Sequence, residues 1–346
     1  MLRSSSPSLS SRPSLLRAPL LAPLLALLLL LAAVIPLAGC GASASANSLT
    51  VGLTYIPNIQ FAPFYVAQSL GYYKAAGLDV TLRHHGASED EFGALVAGKE
   101  DLIFAGGDET LQARSQGPDI VYLAAVYTKY PVGLIVPTSS PIQKVADLKG
   151  RSVGIPGKFG ATYLGLLALL SSAGLKQDDV NIQTVGFTQV QALVTKKVDA
   201  VMGYLNNEPI QLQKQGLSVR TFDVSSAQPL VSNGVAALRS RIDARPDQVR
   251  AFIAATLKAV DYTIAHPQEA LEISRSSVPG LDDPTSAADA LTVLKATLPL
   301  WEHAGKAGYN DPSAWQSMAG FLQAQGLLAG SVDATKAYSN DYLPNG

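Results

Sequence analysis

Cysteine is almost missing: 346 residues contain one, Cys40. A chain with one thiol cannot close an internal disulfide, so its stability has to come from a buried core. Charge is scarce as well. Asp, Glu, Lys and Arg make up 15% of the residues, the net charge is -1, and no basic stripe runs through the sequence. That excludes a nucleic-acid partner and a disordered chain driven by electrostatics. Histidine occurs four times, at His84, His85, His266 and His303, none beside a serine or cysteine in a strained turn. No set of nucleophile, base and orienter is therefore present. The run His84-His85 followed by Glu89, Asp90 and Glu91 is not a metal motif, because adjacent residues after a strand point to opposite sides. Neither a metal nor a cofactor is expected.

What is there begins with Arg3, Arg12 and Arg17 and no acidic residue, followed by an apolar run from Ala18 to Ala38 and then Cys40. This is the n-region, h-region and small-residue cleavage site of an export signal. Leu37-Ala38-Gly39-Cys40 resembles the lipobox of bacterial lipoproteins. The resemblance implies a signal peptide over 1–39, acylation of Cys40, and a flexible tether over 40–47 that holds the domain on the extracytoplasmic side of a membrane. The competing reading is a transmembrane anchor, since the apolar run is just long enough to span. Loss of residues 1–39 removes three arginines and no acid, which takes the formal charge from -1 to -4.

The remaining chain, about 300 residues, exceeds what one core usually serves, so two lobes are expected. Short β-rich runs alternate with helical periods: strands at 49–53, 78–82, 102–105 and 120–127, with helices at 64–70, 92–97 and 110–115 between them. A second cycle has strands at 153–155, 181–185 and 200–204 and helices at 163–173 and 190–196. Val235 to Leu238 reads as a strand returning to the first sheet, and the rest as helix. The class is α/β, two mixed, mostly parallel sheets flanked by helices and joined by two crossings, with a ligand cleft at the strand carboxyl ends. Expected boundaries are 48–134 for lobe 1, 135–234 for lobe 2, and 235–346 for the second, mainly helical part of lobe 1.

Several stretches just past strand ends supply candidate ligand contacts. They offer the rings of Tyr55, Phe61, Tyr130, Phe159, Tyr163 and Tyr204, and the polar tips of Asn58, Gln60, Asp108, Glu109, Asn206, Asn207 and Glu208. Only Lys129 and Lys158 add positive charge there. A cleft for sulfonate, nitrate or phosphate needs cationic donors or a bare helix N-terminus. This set suits a flat, largely neutral heterocycle stacked between rings and held at its edges by amides and carboxylates. Each stretch also has a structural reading: rings after strands pack lobe edges, Asp108 is an N-cap in Gly106-Gly107-Asp108-Glu109, and Gly157-Lys158-Phe159-Gly160 offers amides to an anion. Two amides and a carboxylate in a row, Asn206 to Glu208, are costly near a closing interface unless something pairs with them. Trp301 and Trp315 are expected in the core, although Pro299 could bend the chain and aim Trp301 at the cleft.

Thr54-Tyr-Ile-Pro-Asn-Ile-Gln-Phe-Ala-Pro-Phe-Tyr-Val-Ala67, then Gly71-Tyr-Tyr and Gly77-Leu-Asp-Val80, resemble the opening of type 2 periplasmic solute-binding proteins related to thiamine-pyrimidine synthase. Ala146-Asp-Leu-Lys-Gly-Arg-Ser-Val-Gly-Ile-Pro-Gly-Lys-Phe-Gly160 continues the match. The stretches 55–64, 129–133, 157–165 and 203–209 look most like the riboflavin-importing branch. The resemblance implies a monomeric binding component of an ABC importer, with a permease and an ATPase as partners and a small heteroaromatic ligand. Riboflavin is the first choice and a thiamine pyrimidine precursor the second, and the superfamily also holds sulfonate, nitrate and taurine binders. An enzyme is the rival class. The fungal pyrimidine synthase carries a cysteine-rich iron motif, which has no counterpart in a chain with one cysteine, so no enzyme activity is expected. A sensory or adhesive lipoprotein of the same fold is a third reading.

Overall fold

Side chains that alternate between two cores build the first sheet. In the computed structural model, which describes residues 47–86, 89–90 and 92–344, strands β1 (Ser48–Leu53), β2 (Asp79–His84), β3 (Leu102–Gly106) and β4 (Ile120–Ala125) form this sheet. Val51, Leu53, Leu102, Phe104, Val121 and Leu123 face one core, and Ile103, Ala105, Ile120 and Tyr122 the other. That is the period-2 pattern of strands covered on both faces. Between the first two strands lie α1 (Ala62–Ser69) and α2 (Tyr72–Ala75). Gly71, at φ 71°, breaks the helix between them, a left-handed backbone that glycine adopts without cost. Helices α3 (Gly93–Val96) and α4 (Gly107–Ser115) complete the first cycle.

The chain then crosses to a second sheet of β5 (Val132–Pro137), β6 (Ser152–Ile155), β7 (Asn181–Thr184), β8 (Ala200–Tyr204) and β9 (Val219–Asp223). Its helices are α5 (Gly160–Ser172), α6 (Gln189–Val194) and α7 (Glu208–Lys214). It returns as β10 (Asn233–Leu238), which inserts antiparallel between β3 and β4. The orders are β2-β1-β3-β10-β4 and β7-β6-β8-β5-β9, the same arrangement twice. In both, four strands run parallel and one, β10 or β5, lies antiparallel between two of them. The expected boundaries 134/135 and 234/235 therefore need correction. Each cuts a strand, β5 or β10, and the crossings lie at 126–131 and 224–232. Strand β5 escaped the sequence reading because its apolar run follows β4 after only six residues.

Helices α8 (Arg239–Ala244), α9 (Pro246–Ala265), α10 (Pro267–Ser274), α11 (Pro284–Trp301) and α12 (Pro312–Ala324) follow. Proline opens α9 at N1, where no amide hydrogen is missed. Its Val249, Phe252, Ile253, Leu257 and Val260 are buried on one face against the first sheet. Trp301 and Trp315 are both fully buried core residues, and Trp301 meets Tyr127 edge-on at 5.9 Å. The second core takes in Ile103 and Tyr122 of the first sheet, Leu134, Val153 and Met202 of the second, and Trp315 of α12. Among the described residues no helix is long and apolar enough to cross a membrane. Cys40 and the signal segment lie outside the described residues.

Candidate functional site

The carboxyl ends of the parallel strands in both sheets, together with the amino end of antiparallel β10, enclose a cleft. Its atom-free space is about 950 Å³, counted to the open mouth, within the range of sites that hold a small organic ligand. From the first sheet come Thr54 and Tyr55 after β1, His85 after β2, Phe104 and Glu109 around the end of β3, and Asn233 of β10. From the second come Pro156 and Phe159 after β6, Phe187 after β7, and Tyr204, Asn207 and Glu208 after β8. Tyr55 and Phe187, one from each side, meet edge-on with centroids 4.4 Å apart. No lysine or arginine is among the lining residues.

Two adjacent carboxylates at the start of α4 tie the sides together. Asp108 is fully buried and does not line the cleft. It is not the N-cap that its position suggested: Gly106 caps α4, and Asp108 lies inside the first turn. Its Oδ2 is 2.5 Å from the Tyr130 hydroxyl, which is 3.0 Å from the Ala161 carbonyl oxygen. Burial first, then the charge of Glu109, pushes Asp108 up to about 8. The Tyr130 hydroxyl donates to Asp108 Oδ2, and Asp108 Oδ1 accepts from the Glu109 amide at 2.9 Å, so both oxygens of the buried acid have a partner.

Glu109 has the opposite role. Its Oε2 accepts from the Gly106 amide at 2.7 Å and its Oε1 from the Ala161 amide in the first turn of α5 at 2.6 Å. Burial, the larger effect, pushes it above the ordinary carboxylate value, and these two amides oppose the rise; both oxygens accept N–H bonds, which is the geometry of a carboxylate. Glycine at 106 makes room for both carboxylates, since a Cβ there would lie 2.3 Å from Asp108 Oδ1 and 2.9 Å from Glu109 Oε2 and force them to shift.

The loop after β8 divides its three polar residues. Glu208 opens α7, is buried, and accepts from the Tyr204 amide at 2.8 Å through Oε2. Burial pushes it up to about 7. Asn207 faces the cleft. Asn206 does not: its Nδ2 donates to Thr297 Oγ1 of α11 at 2.7 Å, and Thr297 donates on to the Val293 carbonyl at 2.8 Å. At the far end of α7, Lys214 pairs with Asp289 of the same helix α11. Asn206 thus clasps the second-sheet side to the first.

Of the thirteen sequence candidates, Tyr55, Gln60, Phe61, Glu109, Phe159, Tyr204, Asn207 and Glu208 line the cleft. The other five are placed elsewhere, each held by a partner of its own. Asn58 caps the short helix Ile59–Phe61 by accepting from the Gln60 amide at 3.0 Å. Tyr130 and Asp108 form the buried pair just described, Asn206 is the clasp, and Tyr163 points away to Gln177 at 2.8 Å. Lys129 and Lys158 are not lining residues either. Next to the 157–160 turn, the Ala161 amide at the start of α5 is taken by Glu109.

Sequence reasoning missed Phe187, Asn233, Tyr127 and His85. The rule that named the others, a ring just past a strand, would have found Phe187. His85 is buried; its Nε2 lies 2.7 Å from Glu100 Oε1, which also accepts from Arg83 at 2.6 Å. Its Nδ1 has no partner among the described residues. The two neighbouring histidines part ways as expected, His84 bonding Tyr65 at 3.0 Å instead. Among the described residues no group of three or more potential metal ligands is present.

Comparison with known proteins agrees with this architecture. The family model described as NMT1/THI5 like matches residues 58–270. The riboflavin-binding protein RibY of Chloroflexus aurantiacus is 34% identical over 313 residues, covering 88% of this chain and 88% of that one. At 24% identity follows the 4-amino-5-hydroxymethyl-2-methylpyrimidine phosphate synthase THI11 of Saccharomyces cerevisiae, covering 86% and 88%. The formylaminopyrimidine-binding protein of Halalkalibacterium halodurans is 25% identical, covering 90% and 96%. In structure, the periplasmic aliphatic sulphonate binding protein SsuA of Escherichia coli superposes with a TM-score of 0.69 at 19% identity, covering 85% and 97%. That likeness establishes the two-sheet periplasmic-binding-protein fold. With two antiparallel-completed sheets, a cleft at their strand ends and a family model across most of both, this chain belongs to the NMT1/THI5-like family.

Proposed function

We propose that the chain is an extracytoplasmic solute-binding lipoprotein of an ABC importer, anchored through Cys40, that captures riboflavin in the cleft and delivers it to a permease driven by an ATPase. The observation that carries the ligand class is the lining itself: rings from both sides, Asn207 and Gln60 amides, and no lysine or arginine. A flat heterocycle gains ring contacts on its faces and amide partners on its edge. The 34% identity to a riboflavin-binding protein supports the same reading. Closure is a hinge motion that the ligand stabilises by touching both sides.

A thiamine pyrimidine precursor is the second reading, favoured by Glu208, a carboxylate in the cleft able to hold an aminopyrimidine. Titration of the purified protein separates them. Riboflavin should quench on binding, with a dissociation constant at or below about 1 µM, or about -8 kcal/mol. Asn207→Ala should then weaken it by about 1–3 kcal/mol, because a desolvated ligand edge is left unpaired, and Glu208→Gln should matter less. If Glu208→Gln removes most of the affinity while Asn207→Ala does little, the pyrimidine reading replaces riboflavin. Saturable taurine or nitrate binding with no response to either vitamin class would overturn both.

A further inference from the structure

Glu109 is placed where a ligand's own acidic group would otherwise sit. The N-terminus of α5, thirteen residues long and without a side-chain cap, opens on the cleft at Gly160 and Ala161. Such an end, with free amides and the positive end of the helix dipole, draws an anion. Here the anion comes from the other sheet: Glu109, 7% exposed, reaches across from α4 and takes the Ala161 amide at 2.6 Å. Its second oxygen is spent on the Gly106 amide. No lysine or arginine pairs with Glu109 among the described ion pairs, so amide dipoles stabilise the charge without cancelling it. Glu89 and Glu208 line the same cleft, and the basic side chain that does so, His85, is itself bound to Glu100.

We infer that Glu109 is a specificity-determining residue, a resident carboxylate that fills the anion position at the N-terminus of α5 and thereby closes it to phosphorylated and sulfonated ligands. An anionic ligand would have to displace Glu109 from Ala161 or face it with no cation to offset the repulsion. A neutral ligand meets neither obstacle. The inference rests on the proposed function for its ligand and sharpens it: free riboflavin is taken and its 5′-phosphate ester refused.

The test compares full-length wild type, Glu109→Gln and Glu109→Ala. It uses fluorescence titration with riboflavin and with its 5′-phosphate, and thermal shift with sodium sulfate. Wild type should prefer riboflavin over the phosphate by about 100-fold or more and show no saturable sulfate effect. Glu109→Gln, which keeps an acceptor for Ala161 and loses the charge, should narrow that preference to about 10-fold or less. Glu109→Ala should gain saturable stabilisation by sulfate in the millimolar range. A residue that only capped α5 would lower stability without moving the ratio, so an unchanged ratio in Glu109→Gln overturns the inference. So does equal binding of both flavins by wild type. If wild type binds no flavin, the proposed ligand is wrong, and the sulfate arm still decides: a gain in Glu109→Ala that wild type lacks supports the inference, and no gain overturns it. Should Glu109→Ala not fold, sulfate stabilisation of Glu109→Gln relative to wild type decides in its place, in the same sense.

Discussion

Asp108 and Glu109 are neighbours of like chemistry with different fates, and the difference has a pH signature. Asp108 leaves its ordinary value of 3.8 for about 8, and Glu208 leaves 4.5 for about 7, both mainly through burial. Each keeps its proton in the fold and loses it on unfolding at neutral pH. The stability they contribute is complete below about pH 4 and is lost as pH rises through 7 and 8. Asp147, Asp179 and Asp199, held low by amide bonds, act only at acid pH, and His84, pushed down by burial, pulls the other way below its ordinary 6.5. The ligand-free melting temperature should therefore fall between pH 6.5 and 8. Asp108→Asn keeps an acceptor for Tyr130 and cannot ionise, so it should flatten that slope and melt higher than wild type at pH 8. The gain should be roughly 2–4 °C for each kcal/mol recovered. A parallel slope in the variant would show that Asp108 is not the group that titrates. At this scale the sequence supplied residue types but not directions. Tyr163 and Phe159 lie four positions apart, yet Phe159 lines the cleft while Tyr163 turns to Gln177. Which way a side chain leaves a turn depends on neighbours from distant segments, as Asn206 depends on Thr297 ninety-one residues on.

Among the elements, α7 and α11 form the clasp that makes closure more than a matter of ligand contacts. Thr297 is fully buried and does not line the cleft, so Thr297→Val leaves the ligand's surroundings intact while stranding Asn206 Nδ2 wherever the clasp is engaged. An unpaired buried donor costs about 1–3 kcal/mol. The variant should bind its ligand about 5- to 150-fold more weakly, chiefly through faster release, and small-angle scattering should show a larger ligand-free radius of gyration. Unchanged release with an unchanged radius would mean that the clasp persists in both states. Elements with a strong period were legible: α9 from its proline and its apolar face, and β1–β4 and β6–β8 from their short apolar runs. Strand β9 (Val219–Asp223) and helix α7 were not, because the first exposes alternate residues at a sheet edge and the second is too short to show a period.

For the whole molecule, the proposed anchor sets where the cleft works. Cys40→Ser should abolish fatty-acid incorporation and leave either an uncleaved precursor or a soluble form, read by metabolic labelling and fractionation. Label retained at wild-type level would end the lipoprotein proposal. The two-sheet plan itself was foreseeable from the alternation of strands and helices. The exchange of strands was only half so: the return of β10 to the first sheet is legible in its apolar run, while the matching role of β5 in the second is not.

That exchange has a consequence for the order in which the protein can be made. Strands β3 and β4 are separated in the sheet by β10, although β10 follows β4 by more than a hundred residues. Until residue 238 has left the ribosome, the first sheet has a gap between these two strands and two unpaired edges. Pairing across so long a separation is slow to form. A nascent chain that cannot finish its first sheet early remains threadable, which suits a protein proposed to cross a membrane before it folds.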